Sequence, residues 1–272
     1  MGGKMEIVRG TDLKENKGRF GMVYGVSKVG KSTSCIESMP KKLLVLHCER
    51  RNPDSSFEAI ENKYPDIRSK VDFGLLQKQE ELLDVLHLEI LKTAKNGIFT
   101  FNNTEYRSLL VDSLSHFLNV EVITEMENQT KKAEIFKIRR DIIDSYRLDE
   151  MAYGSLASIG HRICNVLKTI SQQGIFVIVV ASGVENPKWN RALVFAPGFA
   201  GKKFGNEFMV HLDFCGMVHQ RTNEQGEILY PPYISFKSPN NDFVAEWTGR
   251  HLPKHTGIFD FKKILPEMYK NE

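Results

Sequence analysis

Mainly apolar runs, continuous rather than alternating, mark the buried strands of this chain. Four such runs cover residues 22–24, 43–47, 107–111 and 175–181. Strands that are apolar at nearly every position are buried on both faces, which is typical of a parallel sheet covered by helices. Helical segments separate them, most clearly over 77–95 and 153–173. The alternation of strand and helix predicts an α/β fold with a mostly parallel central sheet and helices on both faces.

The chain after residue 213 follows a different pattern, in which two strand-like segments surround a polar turn. The segments cover 214–220 and 228–236, and Thr-Asn-Glu-Gln-Gly stands between them. This arrangement predicts an antiparallel hairpin, and 243–247 adds a further predicted strand. We expect residues from about 214 to 248 to extend the same sheet with antiparallel strands. The predicted parts are an N-terminal extension, one α/β domain and a C-terminal tail, at residues 1–17, 18–253 and 254–272.

Composition and charge are those of an ordinary globular protein, and they restrict its partners. Hydrophobic residues make up 41% of the 272 residues and charged residues 26%, with a net charge of +3. So small a charge gives no overall basic field, and contact with nucleic acid then requires local patches. The four cysteines form no Cys-x-x-Cys pair, which argues against zinc and favours a reducing compartment. The longest apolar run, 175–181, is too short to cross a bilayer, so we expect a cytoplasmic protein with no membrane partner.

A complete phosphate-binding loop follows the first predicted strand, with the sequence Gly-Val-Ser-Lys-Val-Gly-Lys-Ser at residues 25–32. Its backbone N–H groups and the start of the next helix attract anions. Lys31 then reaches the β- and γ-phosphates, and the Ser32 hydroxyl helps to hold Mg²⁺. The alternative is a glycine-rich turn without a ligand. The predicted nucleotide-binding residues are Gly25, Val26, Ser27, Lys28, Val29, Gly30, Lys31, Ser32 and Thr33.

A second metal ligand is predicted at Asp112, which ends the apolar segment Ser-Leu-Leu-Val-Asp-Ser. Phosphate-loop enzymes place an aspartate at the end of a neighbouring strand to hold Mg²⁺ through water. The metal residues predicted here are therefore Ser32 and Asp112. The alternative is that Asp112 only caps the following helix.

Glu49 closes the strand-like run 43–47 and is the predicted catalytic carboxylate. Carboxyl ends of neighbouring strands meet at the ligand crevice of an open α/β sheet, where a carboxylate can orient or deprotonate attacking water. The alternative is a solvated glutamate in a polar segment. Ser182 and Glu185 follow the run 175–181 and are candidate sensors of the γ-phosphate.

Together, these motifs resemble the core of RecA-like ATPases, and most closely the small phage-type proteins of single-strand annealing and recombination. The likeness spans roughly 18–253, and its local segments are 24–33, 43–49, 109–113, Tyr153-Gly154, and 197–202 leading towards Leu212-Asp213. The resemblance implies an ATPase that uses ATP and Mg²⁺, with Lys31 and Glu49 catalytic. One departure is visible, because many relatives carry histidine or glutamine where this chain has Ser182-Gly183. The family-type sensor residue is therefore absent at this position.

The resemblance also implies single-stranded DNA as a partner and a homo-oligomer. Loops after the later strands line the DNA path in RecA-like proteins, and here such loops contain cations beside an aromatic residue, at Lys188, Trp189, Arg191, Lys202 and Lys203. Cations and aromatics bind phosphates and stack bases; the alternative is a tryptophan packed under its own loop. Lys237 and Arg250 are candidate basic residues for a neighbouring subunit's site, or else exposed surface cations.

Two other functions remain consistent with a phosphate loop. A phosphotransferase would pass the γ-phosphoryl group to the hydroxyl of a small molecule. Such enzymes cover the phosphates with an arginine-rich lid, for which Arg139-Arg140 are the candidates. A nucleotide switch would bind ATP tightly, turn it over negligibly and contact a protein partner. A phage-encoded protein of the RecA-like kind would act in the cytoplasm of a bacterial host.

Overall fold

The computed structural model describes residues 18–49, 58, 60–62, 64–76, 79–124, 150–186, 194–199, 207–247 and 257–269. The strands in these ranges are β1 (Arg19–Gly25), β2 (Leu43–His47), β3 (Val71–Leu75), β4 (Phe99–Phe101), β5 (Thr104–Tyr106), β6 (Ser108–Asp112), β7 (Phe176–Asn186), β8 (Val194–Pro197), β9 (Phe214–Thr222), β10 (Ile228–Ser235), β11 (Glu246–Trp247) and β12 (Gly257–Ile258). The helices are α1 (Lys31–Ser38), α2 (Gln79–Asp84), α3 (Leu114–His116), α4 (Glu150–Gln172) and α5 (Phe261–Ile264).

Two of these helices, α2 and α3, continue as π-helical segments. The chain continues from α2 through a π-helical segment, Val85–Ile90, to the short helix Leu91–Thr93. It continues from α3 in the same way through Phe117–Val122. Short 3₁₀ helices cover Ile67–Lys70, Phe208–His211 and Pro266–Tyr269.

A parallel arrangement of strands forms the centre of the main sheet, in the order β9-β1-β7-β6-β2-β3. Strands β10 and β11 pair antiparallel with β9, β12 pairs antiparallel with β10, and β8 pairs antiparallel with β7. The prediction of an α/β fold with a mostly parallel sheet and an antiparallel C-terminal extension is confirmed.

One strand of that extension differs in direction from the prediction. β9 is parallel to β1, with Tyr24 opposite Met217, and only the strands after it are antiparallel. The reason is that the chain returns to the amino end of β1 before β9 begins. There the Asp213 N–H donates a hydrogen bond to the Phe20 carbonyl, and the Phe20 N–H donates to Asp213 Oδ2, each at 2.7 Å.

The four apolar runs correspond to strands β1, β2, β6 and β7. β7 is longer than its run, because residues from Gly183 to Asn186 leave the sheet centre and pair with β8. The helix predicted over 153–173 is α4, and the helix predicted over 77–95 is α2 with its π-helical continuation. β3, β4, β5, β8 and β12 were not predicted.

Helices on both faces of the sheet create two separate apolar cores. Alternate residues of a strand face opposite sides, so Met22 lies in one core and Val23 in the other. The first core is covered by α2, α3 and α4, and the second by α1 and α5. Among the described helices, α4 included, none combines the length and apolar character needed to cross a membrane. With both faces covered, ligand space lies at the carboxyl edge of the strands.

The described C-terminal segment 257–269, assigned by sequence to a tail, packs on the second core. β12 pairs with β10, and the completely buried Phe261 contacts Phe176 with 5.1 Å between ring centroids. Phe261 also lies 6.1 Å from Phe214. Tyr269 donates a hydrogen bond to the Ser38 carbonyl at the end of α1. This segment therefore supports both α1 and the β9–β10 hairpin.

Candidate functional site

The phosphate loop connects β1 directly to α1, and its backbone has the conformation that such a loop needs. Gly30, the residue before the helix, has φ of 91°, and Lys28 has φ of 62°. Both values lie in the left-handed region, where glycine is favoured. A Cβ placed on Gly25 would lie 2.6 Å from the Val218 carbonyl oxygen. Glycine at 25 therefore lets β9 approach the first residue of the loop closely.

Lys31 lies across the loop rather than out in solvent. Its side chain is buried, and its Nζ donates hydrogen bonds to the carbonyls of Gly25 at 3.0 Å and Val26 at 2.7 Å. The first turn of α1 contains no acidic residue and no side-chain cap, so nothing in this turn neutralises the positive end of the helix dipole. Loop, lysine and helix start form an anion-binding cradle.

Asp112 ends β6 with its side chain only 2% exposed. The helix cap at this position is the next residue, since Ser113 Oγ accepts a hydrogen bond from the His116 N–H at 3.3 Å. The capping alternative for Asp112 is therefore wrong. Burial raises the pKa of the Cys35 thiol on α1, and the charge of Asp112 acts in the same direction while Lys31 opposes it. Both charged groups thus lie close to the same part of α1.

Glu49 is brought to the same edge by the pairing of β2 with β6. His47 lies opposite Asp112 in the parallel register, and the Cys48 N–H donates to the Asp112 carbonyl at 2.7 Å. Ser113 Oγ donates a hydrogen bond to Glu49 Oε1 at 3.1 Å. Glu49 is therefore oriented by a side chain, which the alternative of a freely solvated glutamate does not require. Sequence reasoning missed this role of Ser113.

The two candidate sensors occupy different places. Ser182 lies opposite Gly25 in the pairing of β7 with β1, and its N–H donates to Ser115 Oγ at 2.8 Å. Ser115 is buried in α3, the helix after β6, and thereby links this helix to β7. Glu185 is exposed and lies opposite Phe195 in the extension formed with β8. Ser182 thus borders the loop, whereas Glu185 belongs to the β7–β8 extension.

The hairpin of β9 and β10 borders the loop on its other side, and no sequence motif indicated this contact. A Cβ placed on Gly30 would lie 3.5 Å from the Tyr230 ring and 3.6 Å from Pro232. The Tyr230 hydroxyl donates to Glu37 Oε2 on α1 at 2.8 Å. Burial raises the pKa of Tyr230 well above its usual value. Only the strand order reveals this proximity, since the hairpin lies far from the loop in sequence.

The remaining predicted residues are either distant from the loop or outside the described ranges. Lys237 is exposed and follows the end of β10. Ser235 lies opposite Met217, which itself lies opposite Tyr24, so the chain at Lys237 runs away from the loop of its own subunit. The other predicted residues lie outside the described part of the chain: Lys188, Trp189, Arg191, Lys202, Lys203 and Arg250, and also the lid candidates Arg139 and Arg140.

The oxygen donors at this edge fit a magnesium ion held beside phosphates. Ser32 supplies a hydroxyl from the first turn of α1, and Asp112 supplies a buried carboxylate from the end of β6. Mg²⁺ prefers such oxygen ligands, usually one or two carboxylates together with substrate phosphates. The cradle around Lys31 fits the phosphates themselves.

Comparison with known proteins identifies an AAA domain over residues 17–227. No curated protein matches the chain. A KaiC-like protein from the hyperthermophilic archaeon Pyrococcus horikoshii is similar over 80% of this chain and 77% of that chain, with 13% identity and a TM-score of 0.41. The flagellar accessory protein FlaH from Methanocaldococcus jannaschii is similar over 80% and 76%, with 8% identity and a TM-score of 0.43. The matched AAA region contains the loop, Glu49 and Asp112.

Proposed function

The chain belongs to the AAA domain family, and from this premise we propose that it binds ATP with Mg²⁺ at residues 25–32 and hydrolyses it. The observation that carries the proposal is the hydrogen bond of 3.1 Å from Ser113 to Glu49. This bond holds the Glu49 carboxylate next to the buried Asp112, at the sheet edge where the phosphate loop follows β1. A site that only bound nucleotide would not need an oriented carboxylate beside Asp112.

Each residue has a defined part in this reaction. Loop N–H groups and Lys31 hold the phosphates, and Ser32 and Asp112 would hold Mg²⁺, which supplies positive charge to the phosphate oxygens. Glu49 orients a water molecule and accepts its proton as the water oxygen forms a bond to the γ-phosphorus. The bond from the γ-phosphorus to the bridging oxygen breaks, and ADP leaves with the electron pair.

We further propose that ATP turnover is coupled to single-stranded DNA in phage-type recombination or annealing. The support is the sequence resemblance together with the connection of the chain. Lys188, Trp189 and Arg191 belong to the segment that joins β7 to β8. The part of β7 that pairs with β8 lies directly beyond Ser182. Ser182 itself lies opposite Gly25 of the phosphate loop. DNA bound to this segment would be connected to the nucleotide site through one continuous strand. Lys202 and Lys203 would add contacts to DNA phosphates.

Ser182 and Glu185 are proposed to pass the state of the γ-phosphate to that segment. In a homo-oligomer, we propose that Lys237 or Arg250 approaches the nucleotide of a neighbouring subunit, where a cation stabilises charge in the transition state. What supports this proposal for Lys237 is that the residue is exposed and that its chain runs away from the loop of its own subunit.

The test is steady-state ATP hydrolysis with and without single-stranded DNA, comparing the wild-type protein with Glu49→Gln. The amide keeps the size of the side chain but accepts no proton, so we expect turnover to fall by about 10²- to 10⁴-fold. ATP affinity should remain, because the loop is unchanged. Glu105→Gln, at an exposed glutamate of β5, is the matched control and should keep wild-type turnover.

The outcomes separate the parts of the proposal. A wild-type rate that does not respond to DNA would contradict the coupling and leave the ATPase intact. Tight ATP binding with negligible wild-type turnover would contradict hydrolysis and favour a nucleotide switch. Transfer of labelled γ-phosphate to a nucleoside instead of water would favour the phosphotransferase.

A further inference from the structure

The strand order gives the nucleotide site a direction. Strands β6 and β2, which end in Asp112 and lead to Glu49, lie on one side of β1, while β9 and β10 lie on the other. Hydrolysis requires the γ-phosphate to lie towards the two carboxylates. The opposite end of the bound molecule, which carries the nucleoside, then points towards the β9–β10 hairpin. This direction rests on the proposed function.

A cleft of about 230 Å³ lies on the hairpin side of the loop. Gly30 and Thr33 form its wall on the loop side, and Arg221, Leu229 and Tyr230 are among the hairpin residues that line the other side. Pockets for drug-sized ligands begin at about 300 Å³. The cleft is therefore of a size for part of a nucleotide, and Thr33 places it directly next to the residues of the phosphate cradle.

Tyr230 lines this cleft and is held in place there. Its hydroxyl bonds to Glu37 on α1 at 2.8 Å, and its ring lies against Gly30. The residue nevertheless remains 38% exposed. An aromatic ring that is fixed in place loses little conformational freedom when a ligand stacks on it. Stacking on an aromatic side chain binds any nucleobase, since every base has a π face.

Arg221 adds polar character to the same wall. Its Nη2 donates a hydrogen bond to the Tyr230 carbonyl at 3.1 Å, and its guanidinium lies 5.8 Å from the ring centroid of Tyr233. Its buried Nε has no hydrogen-bond partner among the described residues. The cleft therefore combines an aromatic surface with a cationic donor, as sites for small polar ligands commonly do.

We propose that this cleft binds the nucleoside half of ATP, with the adenine base stacked on the Tyr230 ring. Tyr230 lies beyond the region 17–227 that matches the AAA family, so family membership does not assign it a role. The cradle around Lys31 provides affinity for phosphates of any nucleotide, and Tyr230 provides the additional affinity for the base.

The test compares Mg·ATP with Mg·tripolyphosphate, which has the phosphates but no nucleoside, by titration calorimetry. Tyr230→Ala should weaken ATP binding by about tenfold, the scale expected for one stacked base, and leave tripolyphosphate affinity unchanged. Tyr230→Phe should lose less ATP affinity than Tyr230→Ala, because it keeps the ring. Tyr64→Ala, at another tyrosine that is 39% exposed, is the matched control.

Two results would overturn the inference. If Tyr230→Ala weakened both ligands equally, the tyrosine would support the loop rather than the base, and if it weakened neither, the base would bind elsewhere. In both cases the proposed function stands, provided that wild-type protein binds ATP and Lys31→Ala abolishes binding of both ligands. If wild-type protein bound neither ligand, the nucleotide site itself would be contradicted.

Discussion

The two sides of β1 differ in what they offer to a bound nucleotide. On the carboxylate side (β7, β6 and β2), every residue of β6 and β2 is buried and Asp112 is 2% exposed. On the hairpin side (β9 and β10), Ile228 is 71% exposed and Tyr230 is 38% exposed. Bond cleavage requires catalytic groups that are fixed in position, whereas recognition of a nucleobase requires a surface that the ligand can reach. The difference indicates that chemistry and recognition are divided between the two sides.

The two sides also differ in the contacts that stabilise them. On the carboxylate side, the parallel register of β2 with β6 places His47 opposite Asp112. On the hairpin side, the contacts come from distant segments, including the bond from Tyr230 to Glu37 and the pairing of β10 with β12. We therefore expect the hairpin side to depend on the C-terminal segment through the pairing of β12 with β10 as well as through Phe261.

Phe261→Ala should produce the largest effect, because its ring packs against Phe214 on the hairpin side and also against Phe176 on the carboxylate side. The ring is completely buried and contacts Phe259 with 5.0 Å between centroids, as well as Phe176 and Phe214. Removing a buried phenylalanine leaves a cavity and costs about 3–5 kcal/mol of unfolding free energy. Urea denaturation measures the loss.

The matched control for this prediction is Lys262→Ala, an exposed position on the same helix. It should change the unfolding free energy by less than about 0.5 kcal/mol. A loss of similar size in both variants, or of less than about 1 kcal/mol in Phe261→Ala, would show that the C-terminal segment does not stabilise the fold through this ring.

Ser113→Ala tests the carboxylate side and should have an intermediate effect. The change removes the hydrogen bond of 3.1 Å to Glu49, so the carboxylate loses its orientation. We expect turnover to fall about tenfold, equivalent to about 1.4 kcal/mol, while KM for ATP stays constant because the phosphate cradle is untouched. Steady-state kinetics separates the two parameters. In the Glu49→Gln background, the same change should have little further effect on turnover.

Loss of a helix cap must be distinguished from loss of orientation, since Ser113 also caps α3. Asp260→Ala removes the cap of α5, where the Asp260 side chain accepts a hydrogen bond from the Lys262 N–H. Each variant should lose about 1 kcal/mol of stability, but only Ser113→Ala should lose turnover. Equal turnover losses would mean that Ser113 acts through stability alone.

Sequence patterns predicted the carboxylate side well for a physical reason. Strands buried on both faces must be apolar along their length, so the runs at 43–47 and 107–111 were visible, and so were the acidic residues after them. The length of β7 was not visible, because its pairing with β8 depends on contacts between segments rather than on local composition. The same limit applies to the π-helical continuations of α2 and α3.

The hairpin side was not predictable as part of the site. The hairpin itself was expected from its turn, but the contact of Tyr230 with Gly30 depends on β9 pairing parallel to β1. No local signal encodes that choice of neighbour. Ser113 illustrates a smaller version of the problem, since only the register of β2 with β6 shows that it reaches Glu49.

The smallest predicted effect is a dependence of stability on pH that originates on the hairpin side. His219 of β9 packs edge-on against Phe243 with 5.2 Å between ring centroids, and its Nε2 has no hydrogen-bond partner among the described residues. Burial lowers the pKa of His219 below its ordinary value of 6.5, although the charge of Asp242 acts in the opposite direction. The unfolded chain therefore binds this proton more readily than the folded protein, and stability should fall as the pH decreases below about 6.5.

Above its unfolded pKa the histidine is neutral in both states and has no such effect. Urea denaturation at about pH 7.5 and about pH 5.5 measures the difference. That difference should shrink in His219→Gln, which cannot titrate, but not in His87→Gln, at an exposed histidine of the π-helical segment after α2. Part of the dependence should remain, because burial also lowers the pKa of His211. An unchanged difference in His219→Gln would place the pH sensitivity outside the hairpin side and contradict this last distinction between the two sides of β1.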